Sequence, residues 1–318
     1  MERLNDDCVC HILEYLPLVD QIKMCRLSPR FRELLCLIVW RKPRYRNVSV
    51  SDAMLKPLSK TDYVYFFELT SAAMEELYIW NVHSKAFDSY LGRHLLRPEL
   101  SFYLRRDFSN LKELCIADEN MNNSMVNTVA KNCRQLRCLS VSSAYVTGKH
   151  MIGLTKLESL VARECSIETE HLREILDQLS LTHLDLTANR HQVEETILQN
   201  AGAKRLQRLG ISDAQDYGFL LADHLPQLTT LVVSYHKVTP QDQLDMLETT
   251  RRRVEDSPGK FPKRLQSILC NVVDVEVALE QIAGLEKRHP RDTPKFSEIL
   301  KIMYFLSKPV GSDKTTPP

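Results

Sequence analysis

The sequence predicts an α/β protein in which a small N-terminal three-helix unit precedes a curved solenoid. Parallel strands line its concave face, helices line its convex face, and a helical cap closes the C-terminus. Three observations predict this. Leu4 to Arg41 carries three short apolar stripes at helical spacing. From Leu111 onward a leucine pattern returns every twenty-odd residues. Between those returns the apolar period changes from two to about three and a half, as it does when strands alternate with helices.

The first unit is built from local signals. Asn5 can cap a helix, and Asp6 and Asp7 place negative charge in its first turn, where the backbone dipole favours it. Val9, Ile12, Leu13 and Leu16 form one stripe, and Pro17 stops the run. Asp20 can cap a second short helix through Ile22, Met24 and Cys25. Ser28 followed by Pro29 starts a third, whose apolar side is Phe31, Leu34, Leu35, Ile38 and Trp40. A unit this small buries too little surface to be stable alone, so it must pack on the rest of the chain, on a partner, or on both.

Leu4, the Leu16-Pro17-Leu18 turn with Asp20 behind it, Cys25-Arg26, Phe31-Arg32 and the closing Trp40-Arg41 stand in the order and spacing of the F-box motif, which this stretch resembles. The family's usual proline after the first leucine is here Asn5, a capping residue that preserves the helix start. The resemblance implies a docking surface for the Skp adaptor of SCF-type cullin ubiquitin ligases. By position its contacts are Leu4, Ile12, Leu13, Leu16, Pro17, Leu18 and Ile22, with Trp40 closing the edge.

The repeats follow. Leu111-Leu114-Ile116, Leu136-Leu139-Val141, Leu157-Leu160-Ala162, Leu181-Leu184-Leu186, Leu206-Leu209-Ile211 and Leu228-Leu231-Val233 share one pattern, and their starts are 25, 21, 24, 25 and 22 residues apart. Met74-Leu77-Ile79 reads as an earlier copy, Val48-Val50 as a weaker strand before it, and Leu265-Ile268-Cys270 as a late copy. The pattern resembles leucine-rich repeats, in which the ninth position is usually Asn or Cys and satisfies backbone groups in the loop leaving the strand. Cys165 and Asn189 fit, whereas Ala144, Ala214, His236 and Glu119 occupy that place elsewhere. Helical spacing lies between the strands at His171 to Leu179, Val193 to Leu198, Asp216 to Leu225 and Gln241 to Val254.

Residues 251–264 read as a charged surface loop broken by Pro258, Gly259 and Pro262. Helical spacing returns at Val272 to Leu285 and Phe296 to Leu306, which are expected to cap the open end of the array. The expected domains are 1–45 for the first unit, 46–264 for the solenoid, 265–306 for the last repeat and cap, and 307–318 for a disordered tail.

Composition narrows the function classes. With 42 basic and 41 acidic residues, the chain has no global field that would favour nucleic acid or an anionic membrane. The longest apolar run, Leu34 to Trp40, is too short to span a bilayer. The nine cysteines are scattered, without the paired spacing of a zinc site, and are expected to be reduced thiols in a cytoplasmic or nuclear protein. The nine glycines include no phosphate-cradling loop. His183 and Asp185 stand two apart on one face of a strand, as a two-ligand metal site begins, but no third ligand lies nearby in sequence. They are read as a recognition pair, and no catalytic residue, metal or cofactor is expected.

Recognition should therefore lie on the outward strand residues. Tyr78 and Trp80 offer large amphipathic rings, while Arg163, His183, Asp185 and Arg208 are the charged points. Tyr78 and Trp80 could equally pack against the first unit. Together these readings make the chain a non-catalytic substrate receptor: the first unit docks on the Skp adaptor, and through it on a cullin-RING complex, and the repeats hold a target protein for ubiquitination. The rivals are a non-ligase scaffold or inhibitor that binds a protein partner, and an RNA-binding repeat protein, against which the near-zero net charge argues.

Overall fold

The computed structural model describes residues 4–80, 99–189, 191, 193–212, 224–234 and 267–271. The charged loop at 251–264, the helices expected at 216–225 and 241–254, the C-terminal cap and the tail lie outside, or all but outside, the described residues. The chain divides into two compact units, Met1–Glu158 and Ser159–Pro318.

In the first unit, α1 (Asp6–Tyr15), α2 (Leu18–Leu27) and α3 (Pro29–Leu37) are the three expected helices. The Asn5 side chain caps α1 by accepting from the Cys8 N–H at 2.9 Å. Helix α2 begins two residues before Asp20, because the Pro17 carbonyl already accepts the N–H groups of Asp20 and Gln21. Trp40 is not on α3: the helix ends at Leu37, and Val39–Arg41 tightens into a 3-10 turn. Arg30 pins the start of α1 to α3, meeting Asp6 at 2.7 Å and the Leu4 carbonyl at 2.6 Å.

After α4 (Pro43–Arg46) comes β1 (Asn47–Ser49), the weak strand expected near Val48. Helix α5 (Lys60–Thr70) then crosses back before β2 (Glu76–Trp80), and α6 (Leu100–Leu104) precedes β3 (Glu113–Ala117), α7 (Asn123–Asn132) and β4 (Cys138–Ser142). Strands β1 to β4 pair in parallel and in sequence order, with Val48, Leu77, Leu114 and Leu139 opposite one another. The second unit repeats the plan with β5 (Ser159–Arg163), α8 (Thr169–Gln178), β6 (His183–Asp185), α9 (Glu194–Gln199), β7 (Arg208–Ser212), β8 (Thr230–Ser234) and β9 (Ser267–Asn271). Leu160, Leu184, Leu209, Leu231 and Ile268 stand in register along it.

One aliphatic residue per strand at the same register, usually leucine, is what lets each repeat bury its apolar side on its neighbours. The loops leaving the strands use the expected chemistry where the residue is present. Asn189 Oδ1 accepts the Ile167 N–H at 2.7 Å, and its Nδ2 donates to the carbonyls of Ile167 and His191 at 3.2 and 2.9 Å. Where Ala144 stands instead, the preceding Ser143 takes over, its hydroxyl lying 3.1 Å from the Glu119 carbonyl and 2.7 Å from that of Met121.

Helices α5 and α6 had no clear periodic signal, yet they fasten the three-helix unit to the first strands. Trp40 meets Phe66 edge-on at 5.5 Å, Phe66 meets Phe67 at 5.7 Å, and Phe67 meets Tyr103 at 5.4 Å. The hydroxyls of Tyr63 and Tyr103 are 2.9 Å apart. Phe66 and Phe67 are fully buried. The variant Phe66→Ala is expected to lose about 3–5 kcal/mol of unfolding free energy in urea titration, because it opens a cavity at the centre of this cluster.

Candidate functional site

Two surfaces carry the residues singled out by the sequence, and the first is on the helical unit. Val9 and Leu13 point inward from α1, while Ile12 is 41% and Tyr15 78% exposed. Leu16 is half-buried and Pro17 exposed, so Ile12, Tyr15 and Leu16 form one outward edge at helical spacing. Leu4, also 41% exposed, stands at the head of the same helix, and Leu37 and Ile38 are exposed where α3 ends.

Leu13, Leu18, Ile22 and Trp40 are placed differently: they are buried and form the interior of the unit. Their side chains support the exposed edge from behind. Trp40 Nε1 donates to Gln21 Oε1 at 2.7 Å, and Gln21 Nε2 donates to the Leu16 carbonyl at 2.9 Å and lies 2.8 Å from the Tyr45 hydroxyl. Gln21 is itself fully buried, so one amide ties the Leu16-Pro17 turn to the 3-10 turn and to α4. Sequence reasoning missed Tyr15 and Gln21. Tyr15 is legible three residues after Ile12, whereas nothing in the sequence marks Gln21 as buried.

The second surface is the outward side of the strands. In the first unit the Tyr78 hydroxyl sits between Glu76 and Glu113, at 3.1 and 2.8 Å from their carboxylates. Burial, followed by the Glu113 carboxylate, pushes its phenol well above the ordinary tyrosine range. Trp80 closes β2 opposite Ala117.

In the second unit Asp185 is only 3% exposed. Its Oδ2 accepts from Arg163 Nε and Nη2 at 3.0 and 2.6 Å, and its Oδ1 accepts from the backbone N–H and hydroxyl of Thr187 at 3.0 and 2.8 Å. A Cβ at Gly210 would stand 2.6 Å from Asp185 Oδ1, so only glycine leaves room for this carboxylate. Asp185 is therefore the anchor that fixes the Arg163 guanidinium on the face. His183 stands opposite Arg208 on β7, with Nδ1 2.8 Å from the Thr182 hydroxyl. Burial and then the Arg208 charge lower its pKa.

The structure thus joins Arg163 to Asp185, sets His183 opposite Arg208, and keeps Tyr78 and Trp80 in the other unit. Among the described residues no three His, Cys, Asp or Glu side chains converge as a metal site would need, and no helix is long and apolar enough to cross a membrane.

These surfaces define a protein-interaction class: a packed helical unit with an apolar outer edge, joined to in-register parallel repeats. The model of the F-box domain matches residues 1–39. Residues 1–39 thus resemble an F-box domain, and the strands that follow stand in the register of a repeat array. No curated protein matches the sequence. Among solved structures an internalin from Listeria monocytogenes aligns at 13% identity over 84% of this chain and 86% of that chain, with a TM-score of 0.36. So loose an overlap carries no weight, and the repeat fold rests on the register.

Because the folded-state pKa of His183 is lowered, the unfolded chain takes up this proton first as pH falls through the ordinary histidine value, and the contribution of His183 to stability declines there. In an NMR titration His183 is expected to titrate below about 6.5, and Arg208→Ala to move it upward.

Proposed function

We propose that the protein is the substrate-recognition subunit of an SCF-type ubiquitin ligase. Its F-box docks on the Skp adaptor, and its repeats hold a target protein for ubiquitination and proteasomal degradation. The chain performs no chemistry itself. It raises the effective concentration of a target lysine near a ubiquitin-loaded enzyme. The observation that carries this reading is the Ile12-Tyr15-Leu16 edge, which remains apolar and uncovered on a unit whose own interior is already filled by Leu13, Leu18, Ile22 and Trp40. Residues that the fold does not need inside are the ones available to a partner.

On this reading Leu4, Ile12, Leu16 and Pro17, joined by Tyr15, touch the adaptor, while the four buried residues hold them in place. The target-contact candidates are Tyr78 and Trp80 on the strands of the first unit and, on those of the second, Arg163, His183 and Arg208, with Asp185 positioning Arg163. Recognition through ordered strand residues suits a folded or extended protein segment.

The test is recovery of purified Skp adaptor on immobilised protein. The double variant Ile12→Ala/Tyr15→Ala is expected to reduce recovery at least tenfold with an unchanged circular dichroism spectrum, since central apolar anchors are worth more than about 1 kcal/mol each. Undiminished recovery by the folded variant would remove the docking reading and leave a scaffold whose first unit is only a cap. A second variant, Arg208→Glu, is expected to keep the adaptor and lose the target, read as loss of adaptor-dependent ubiquitination of co-purified protein.

A further inference from the structure

Across the strands of the second unit runs a row of side chains that can donate hydrogen bonds. Ser159, His183, Arg208 and Thr230 stand opposite one another on β5, β6, β7 and β8. Neighbouring strands lie about 4.8 Å apart, so the row crosses roughly 14 Å of sheet. His183 is exposed, and the other three are half-buried. None of the four carries negative charge at neutral pH.

The positive charge on this row has no counter-charge among the described residues. In strands β5 to β9 the only carboxylate is that of Asp185, which is 3% exposed. Its Oδ2 is held by Arg163 at 2.6 Å and its Oδ1 by the Thr187 hydroxyl at 2.8 Å, so it offsets Arg163 and leaves Arg208 uncompensated. Arg208 makes no ion pair with any described carboxylate. After burial, its charge is the second cause of the lowered pKa of His183, the mark of a cation with no anion beside it. An anion seated between Arg208 and His183 would relieve that repulsion and find donors on either side.

We propose that this row binds an acidic segment of the target protein, whose Asp or Glu carboxylates lie against Arg208 and the donors beside it. The planar guanidinium matches the two oxygens of a carboxylate, and the flanking hydroxyls and imidazole take further oxygens along the segment. A nucleic-acid backbone fits less well. It needs several cations in succession, whereas this face offers Arg208 alone beyond the Arg163–Asp185 pair. The inference rests on the reading that strand residues hold the target, and it adds the chemistry that the second unit selects. The strands of the first unit present Glu76 and Glu113 around Tyr78 instead, so the selection belongs to the donor row and not to strand faces in general.

The test is selection of short peptides from a random displayed library on the immobilised full chain, followed by fluorescence anisotropy with the selected sequences. The expected peptides are enriched in Asp and Glu, and Arg208→Gln weakens them about tenfold or more, because a hydrogen bond to a charged group is lost. Arg208→Lys keeps the charge without the planar fork and is expected to fall between the two, which preserves a readout should Arg208→Gln alter the circular dichroism spectrum. The control Arg173→Glu, on the exposed side of α8, changes the net charge as Arg208→Glu does and should leave affinity unchanged. Selected peptides without acidic enrichment, or equal loss in Arg173→Glu, overturn the proposal, as does tighter binding of single-stranded RNA that Arg208→Gln abolishes. Failure of the underlying reading is distinct: adaptor-dependent ubiquitination of co-purified protein would then survive Arg208→Glu.

Discussion

The contact on which the rest of the first unit depends is that between Trp40 and Phe66. Trp40 closes the helical unit, and Phe66 belongs to α5, the helix that leads into the repeats; their rings meet edge-on at 5.5 Å. From this point packing runs in two directions. Toward α1, the Trp40 indole nitrogen holds Gln21, and Gln21 holds the turn at Leu16. Toward the strands, Phe66 leads through Phe67 to Tyr103. Edge-to-face ring pairs add about 0.5–1.5 kcal/mol each to the burial of their area, so a chain of them makes a stiff joint rather than a hinge. The F-box is thereby built into the start of the array.

Much of this was legible before the structure, and the reasons are physical. Leucines with a fixed strand register announce themselves by spacing, so the strands from β2 to β9 and the capping role of Asn5 could be read directly. Helix α5 could not. Its aromatic residues face several neighbours at once, with Tyr63, Phe66, Phe67 and Thr70 all buried, so no single stripe emerges to give a period. The same limit applies to the docking edge. Periodicity says that Leu13 and Ile12 lie on the apolar side of α1, but only packing decides that Leu13 turns inward and Ile12 remains outside. Residues 251–264 and the expected C-terminal helices fall where the structure describes nothing.

The repeats show how a loop position can be served by a different residue. Asn189 uses its own side chain to bind the loop of the preceding repeat, whereas Ser143 does this work one position before the place where the pattern puts it. What the fold conserves is the satisfaction of buried carbonyls and N–H groups, not the residue type. A consensus that counts only Asn or Cys therefore underestimates the regularity of this array.

Asp185 and Gln21 resolve the same problem on the two surfaces. Each is a polar group with almost no exposure, and each would cost about 1–3 kcal/mol or more if left unpaired. Each is instead fully engaged: Gln21 with Leu16, Trp40 and Tyr45, and Asp185 with Arg163 and Thr187. An apolar residue of similar volume would fill either space with less risk. The polar choice contributes direction, because an amide or a carboxylate fixes its partner within a narrow range of angle and distance. Gly210, whose missing Cβ makes room for Asp185, shows that the backbone accommodates this constraint. On both surfaces a buried polar side chain sets the position of a half-buried residue: Leu16 at the edge of the F-box, and Arg163 on the strand face.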